Sequence, residues 1–139
     1  MPSAESKIAS LDREFSAAPD WEARYKLIIE KGKQLEPLPD DQKNDDLKVK
    51  GCQSQVWLKA DLKDGRIFFQ GDSDAMIVRG LVALLLEIYS GLTPEEILST
   101  SPEFVKKLGL DGALSPSRAN GIFAMLKQIH FYAVAYKSI

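Results

Sequence analysis

Val56-Trp57-Leu58-Lys59-Ala60-Asp61-Leu62, then Asp64-Gly65, then Ile67-Phe68-Phe69-Gln70 is the stretch whose periodicity decides the fold. Val56, Leu58, Ala60 and Leu62 alternate with Gln55, Trp57, Lys59 and Asp61, the period-two pattern of a strand with one face on a core. Asp64-Gly65 is a strong signal for a tight hairpin. Ile67 and Phe69 alternate with Phe68 and Gln70 in the returning strand. Upstream, Lys48-Val49-Lys50 is a candidate third strand. Downstream, Gly71-Asp72-Ser73-Asp74 reads as a turn that caps a helix, and Ala75 to Tyr89 is apolar nearly all round. A helix of that kind belongs at the centre of a fold.

Working outward, both flanks are helical. Ile8, Leu11 and Phe15 share one face of a first helix, which Ala18-Pro19 ends. Asp20 suits the N-cap of a second, whose predicted buried stripe is Trp21, Tyr25, Ile28 and Ile29 and whose end Gly32 weakens. Residues 36–46, with two prolines and four aspartates, read as an extended solvated loop. Thr93-Pro94-Glu95-Glu96 is a capping box with proline at the first helical position, and Ser101-Pro102 and Ser115-Pro116 repeat the cap-then-proline pattern. Lys107-Leu108-Gly109-Leu110 resembles a glycine-terminated helix end. The last helix, from about Pro116 to the C-terminus, presents Ile122, Leu126, Ile129 and Ala133. Strands grouped together among helices predict an α+β class, with a small antiparallel sheet packed against several helices.

The chain has 139 residues, 45% hydrophobic and 27% charged, with a net charge of -2. That length suits a single domain over residues 1–139, and no linker or repeat divides it. A nucleic-acid partner is not expected, since such proteins are usually basic. With one cysteine no internal disulfide can form, so a reducing cytoplasm is the expected setting. The N-terminus lacks a basic patch followed by an apolar run, so no secretory signal is expected. The most apolar stretch, Met76 to Tyr89, is too short and too charged to span a bilayer. One histidine and one cysteine cannot furnish a structural zinc site. No phosphate-binding glycine motif is present. His130 and the paired carboxylates, Asp40-Asp41, Asp45-Asp46, Asp72 with Asp74, and Glu95-Glu96, are read as structural or solvated groups.

That leaves Cys52. A free cysteine is most often a small buried hydrophobe. This one sits in Gly51-Cys52-Gln53-Ser54-Gln55, between a polar loop and the first strand, not inside an apolar run. Gly51 gives the backbone freedom for the sulfur to swing. Lys48 and Lys50 favour a thiolate, and Asp45 and Asp46 oppose it. Without a second cysteine there is no resolving thiol. A lone mobile thiol is suited to attack a sulfur–sulfur bond on a partner, keep the outer sulfur as a persulfide, and be attacked in turn.

Gly51-Cys52-Gln53-Ser54-Gln55-Val56-Trp57 resembles the signature of the SufE family of sulfur acceptors, which includes CsdE. Gly71-Asp72-Ser73-Asp74-Ala75, Ile77-Val78-Arg79-Gly80-Leu81, Leu92-Thr93-Pro94 and Ser115-Pro116-Ser117-Arg118-Ala119-Asn120-Gly121 are similar to its later blocks. Trp21-Glu22-Ala23-Arg24-Tyr25 is similar to its early helix. The resemblance spans about residues 10 to 135. It implies an α+β fold related to the IscU scaffold, without the cysteines that hold a cluster there. It also implies a persulfide sulfur accepted on Cys52 from a SufS-type cysteine desulfurase, stimulation of that enzyme, and delivery to a SufBCD-type iron–sulfur scaffold. The pyridoxal phosphate belongs to the desulfurase, so no cofactor and no metal are expected in this chain.

Within these blocks, Arg118 is a candidate to stabilise a thiolate or persulfide anion, against the alternative of a surface ion pair or helix-cap charge. Asp74 is a possible supporting residue, read first as a helix cap. The resulting expectation is a sulfurtransferase-type carrier with no stand-alone turnover. Two alternatives remain: an allosteric activator of the desulfurase in which the thiol is incidental, and a thiol redox sensor. A persulfide must be shielded from stray thiols, so the Cys52 side chain is expected to tuck against apolar residues, with Trp57 and the central helix as walls.

Overall fold

The computed structural model describes residues 3–110 and 114–138. Met1 and Pro2, part of the stretch read for a secretory signal, lie outside the described residues. So does Ile139, the end of the predicted last helix.

Helix α1 (Ala4–Ala17) is capped by Ser3, whose hydroxyl accepts from the Ser6 amide, and it buries Leu11 and Phe15. Helix α2 (Trp21–Gln34) is capped by Asp20, whose carboxylate accepts from the Ala23 amide at 2.9 Å. Strands β1 (Val56–Lys63) and β2 (Arg66–Ser73) pair antiparallel, Val56 opposite Ser73 and Lys63 opposite Arg66. Asp64 and Gly65 connect them with φ of 53° and 77°. Positive φ at both central residues matches the right-handed strand twist, which explains the Asp-Gly pair.

Helix α3 (Met76–Tyr89) is the core, with Val78, Leu81, Val82, Leu84, Leu85, Leu86, Ile88 and Tyr89 all buried. Helix α4 (Pro94–Ser99) carries the predicted capping box, Thr93 with Glu96. The short α5 (Phe104–Lys107) leads to Gly109 at φ 74°. Helix α6 (Pro116–Lys137) is capped by Ser115 and buries Ile122, Leu126, Ile129 and Ala133, as its spacing predicts. His130 is structural: its Nδ1 lies 2.8 Å from the Leu126 carbonyl and its ring packs edge-on to Tyr89.

The sheet has two strands. Lys48 makes only an isolated bridge to Trp57, so the candidate third strand is reduced to a contact. What covers the outer edge of β1 is mixed. The Leu58 amide donates to the Leu47 carbonyl, the Val49 amide donates to Val56, and the Tyr132 and Tyr136 hydroxyls donate to the Leu58 and Ala60 carbonyls. Two tyrosines of α6 thus satisfy edge acceptors that would otherwise invite another strand.

Several local expectations are corrected. Gly71-Asp72-Ser73 is the end of β2, not a turn. The α3 N-cap is Ala75, without a side-chain bond, so Asp74 does not cap the helix. Trp57 is buried although its register places it opposite Val56 and Leu58; Lys43 lies over its ring. Of the predicted stripe of α2 only Ile28 is fully buried; Trp21, Tyr25 and Ile29 are partly covered, and Gly32 is buried with Ile28. Gly32 does not weaken α2. A Cβ there would stand 2.8 Å from the Gly80 amide nitrogen, and one at Gly80 would stand 2.2 Å from the Ile28 carbonyl oxygen. The two glycines let α2 and α3 cross backbone to backbone. Ser101-Pro102 does not start a helix directly; α5 begins at Phe104.

The polar loop is also less solvated than its composition suggests. Leu38 is buried, and its amide donates to Asp72 Oδ2. Asp72, 1% exposed, pairs with Arg79 at 2.8 Å and with Lys43 at 3.5 Å. The reading of Asp72 as a solvated carboxylate is therefore overturned.

Candidate functional site

Cys52 follows Gly51, which has φ 93°. Such backbone is strained for any residue with a Cβ. It turns the chain so that a Cβ on residue 51 would stand 3.5 Å from that of Ala124, and the Cys52 side chain points inward to α6. The far end of the loop is fixed. The Gln55 amide donates to Asp74 Oδ1 at 3.0 Å, and the Ser73 hydroxyl donates to the Gln55 carbonyl at 2.8 Å. Asp74 is thus a loop anchor, a role its position two residues from a helix start concealed.

The sulfur is half-buried and packs against the core. Its thiol faces the Gly121 carbonyl at 3.7 Å, donating to it. Beside it lies a recess of about 330 Å³. Gln53 and Ser54 form one side, Val78 and Leu81 of α3 the floor, and Ser115, Ser117, Arg118, Gly121 and Met125 the wall from the start of α6. Burial pushes the Cys52 thiol up from its ordinary value, because the thiolate loses hydration there. The lysines at 48 and 50 do not offset this. A carbonyl acceptor next to Sγ also favours the protonated form.

Cys52 and Arg118, far apart in sequence, therefore line one recess, and Asp74 holds the loop from outside it. The central helix lines the recess, as expected, as its floor. Trp57 does not line the recess; Met125 and Gly121 complete it instead. The sequence signal for that wall was present but indirect, since Gly121 is a glycine inside a helix and Met125 is one turn further along the same face. Arg118 is exposed and its amide donates to the Ser115 hydroxyl. Among the described residues no cluster of three or more His, Cys, Asp or Glu could hold a metal ion, and no helix is long and apolar enough to cross a membrane.

The described residues thus form an α+β domain that holds one free thiol in a recess which an arginine also lines. The sequence pattern of the SufE family, described as an Fe–S metabolism associated domain, matches residues 9–133, and the chain belongs to that family. Membership gives it a sulfur-transfer role in iron–sulfur metabolism. An uncharacterised SufE-like protein of Synechocystis sp. is 43% identical over 130 residues, covering 94% of this chain and 82% of the relative. A hypothetical protein from Thermus thermophilus, known from a solution structure, superimposes with a TM-score of 0.80. That match covers 96% of this chain and 97% of the other at 24% identity, which is a likeness of fold.

Proposed function

We propose that this chain is a cytoplasmic, single-domain sulfur acceptor that takes persulfide sulfur from a SufS-type cysteine desulfurase onto Cys52, stimulates that enzyme, and passes the sulfur to a SufBCD-type scaffold. The observation that carries the reading is the lone thiol held in a recess at the tip of a loop with a glycine hinge and a fixed far end. The Cys52 thiolate attacks the outer sulfur of the partner's persulfide. The partner's sulfur–sulfur bond breaks, its cysteine leaves as a thiolate, and a new sulfur–sulfur bond forms on Cys52. The persulfide proton and the thiol proton redistribute between the two products, so no oxidant or reductant is consumed. Pyridoxal phosphate, which releases sulfur from free cysteine, belongs to the partner.

In the resting position the thiol is protonated and covered. Docking draws the Gly51-Cys52 tip outward, where hydration lowers the thiol toward its ordinary value. Arg118, at the rim, stabilises the anion as it forms. Asp74 keeps the loop anchored at Gln55 while its tip moves.

Incubation with a SufS-type desulfurase, pyridoxal phosphate and free cysteine is expected to make the protein one sulfur atom heavier, by intact mass. Cys52→Ser abolishes the gain and the stimulation together. If Cys52→Ser still stimulates the desulfurase fully, the chain is instead an allosteric activator without covalent transfer.

A further inference from the structure

Gly121 is the described glycine for which neither backbone nor packing supplies a reason. Gly51, Gly65, Gly91 and Gly109 have positive φ. At Gly32, Gly71 and Gly80 a Cβ would press within 2.8 Å of another atom. Gly121 lies inside α6 in ordinary helical conformation, where glycine costs about 1 kcal/mol relative to alanine. A Cβ built there meets one neighbour, Cys52 Sγ, at 3.7 Å, an ordinary contact. The reduced protein would therefore accept alanine and gain helix stability.

The loaded protein would not. An outer sulfur sits about 2.05 Å beyond Sγ. A non-bonded neighbour needs about 3.5–4.0 Å. An outer sulfur turned toward α6 therefore falls inside the volume that a methyl at 121 would occupy. The recess beside Gly121 is floored by Val78 and Leu81, with Met125 in its wall, and Cys52 is part of its lining. Resting on the sulfur-carrier reading above, we propose that Gly121 is a positioning residue for the loaded state: its missing side chain leaves the berth in which the outer sulfur of the Cys52 persulfide is sheltered.

The test compares wild type with Gly121→Ala, each loaded with inorganic polysulfide, which persulfidates a free thiol without any desulfurase. Failure of the sulfur-carrier reading therefore leaves this measurement intact. Cyanide then removes the outer sulfur, its carbon forming a bond to that sulfur while the sulfur–sulfur bond breaks, giving thiocyanate and the Cys52 thiol. Thiocyanate release from Gly121→Ala is expected to be about fourfold faster, the effect of exposing one methylene-sized group. Alkylation of the unloaded thiol by iodoacetamide is expected to change less than about twofold, because the reduced sulfur keeps its place. Equal cyanide rates overturn the proposal. So does a parallel rise in both rates, which would mean a general opening of the loop. Gly121→Ser, with a similar methylene at the same position, is read in the same way should the alanine variant fail to fold.

Discussion

Around Cys52 the decisive quantity is the hydration of one sulfur. Desolvation by the α3 and α6 side chains moves the thiol above its ordinary value of 9.0. The thiolate, the reactive form, is therefore scarcer at neutral pH than in a free cysteine. Alkylation of the resting protein by iodoacetamide is expected to rise with pH through a midpoint above that of glutathione measured alongside. Addition of the desulfurase is expected to move the midpoint down as the tip leaves the recess. A resting midpoint at or below that of glutathione would mean that the sulfur is not covered. The sign for stability follows from the same shift. The unfolded thiol ionises first, so the contribution is full below the unfolded value and is lost as pH rises through the folded one. Wild type should lose stability in that alkaline window relative to Cys52→Ser.

At the scale of elements, the crossing of α2 over α3 sets the geometry on which the recess depends, because α3 supplies its floor. Gly80 lies where the helices touch, and an alanine there must displace the Ile28 carbonyl or the helix itself. Gly80→Ala is expected to cost about 3 kcal/mol and to lower the thermal midpoint by about 10 °C. Differential scanning calorimetry checks this, and a drop under about 2 °C would mean that the crossing is looser than the backbone contact implies. This crossing was not legible in the sequence, because it is a relation between two glycines 48 positions apart. The hairpin was legible, since alternation and Asp64-Gly65 are local signals. The inner face of α6 was legible for the same reason. Cys52 stood out because its neighbours are polar, and the resemblance of its motif supplied the role proposed for it. Trp57 and Asp72 were misread because period and turn composition do not record what the rest of the chain lays over them. In both cases the covering group comes from the loop around Leu38 and Lys43. The tyrosine seal on β1 was hidden likewise, for Tyr132 and Tyr136 are ordinary amphipathic positions until the edge carbonyls are placed beside them.

At the scale of the whole molecule, four segments of the chain meet at Asp72. One carboxylate accepts from the Leu38 and Ser73 amides and pairs with Lys43 and Arg79. Arg79 also donates to the Gly32 carbonyl at 2.7 Å and to that of Leu35. The end of α2, the polar loop, β2 and α3 therefore meet at a single buried charge. Ser73 and Asp74, next in the chain, hold Gln55 and with it the fixed end of the Cys52 loop. Removing one member of a buried pair leaves the other without its partner, which costs about 3 kcal/mol. Asp72→Ala is expected to lose about that much in urea unfolding. The Leu38 amide, deprived of its acceptor, should exchange its hydrogen faster than the amides of α6. Because β2 and the loop anchor share this junction, Cys52 in the same variant should also be alkylated faster under conditions where the protein remains folded. A variant that loses stability while Cys52 keeps its wild-type reactivity would separate the two. The loop would then be held by Ser73 and Asp74 alone, and the buried ion pair would serve the fold without reaching the thiol.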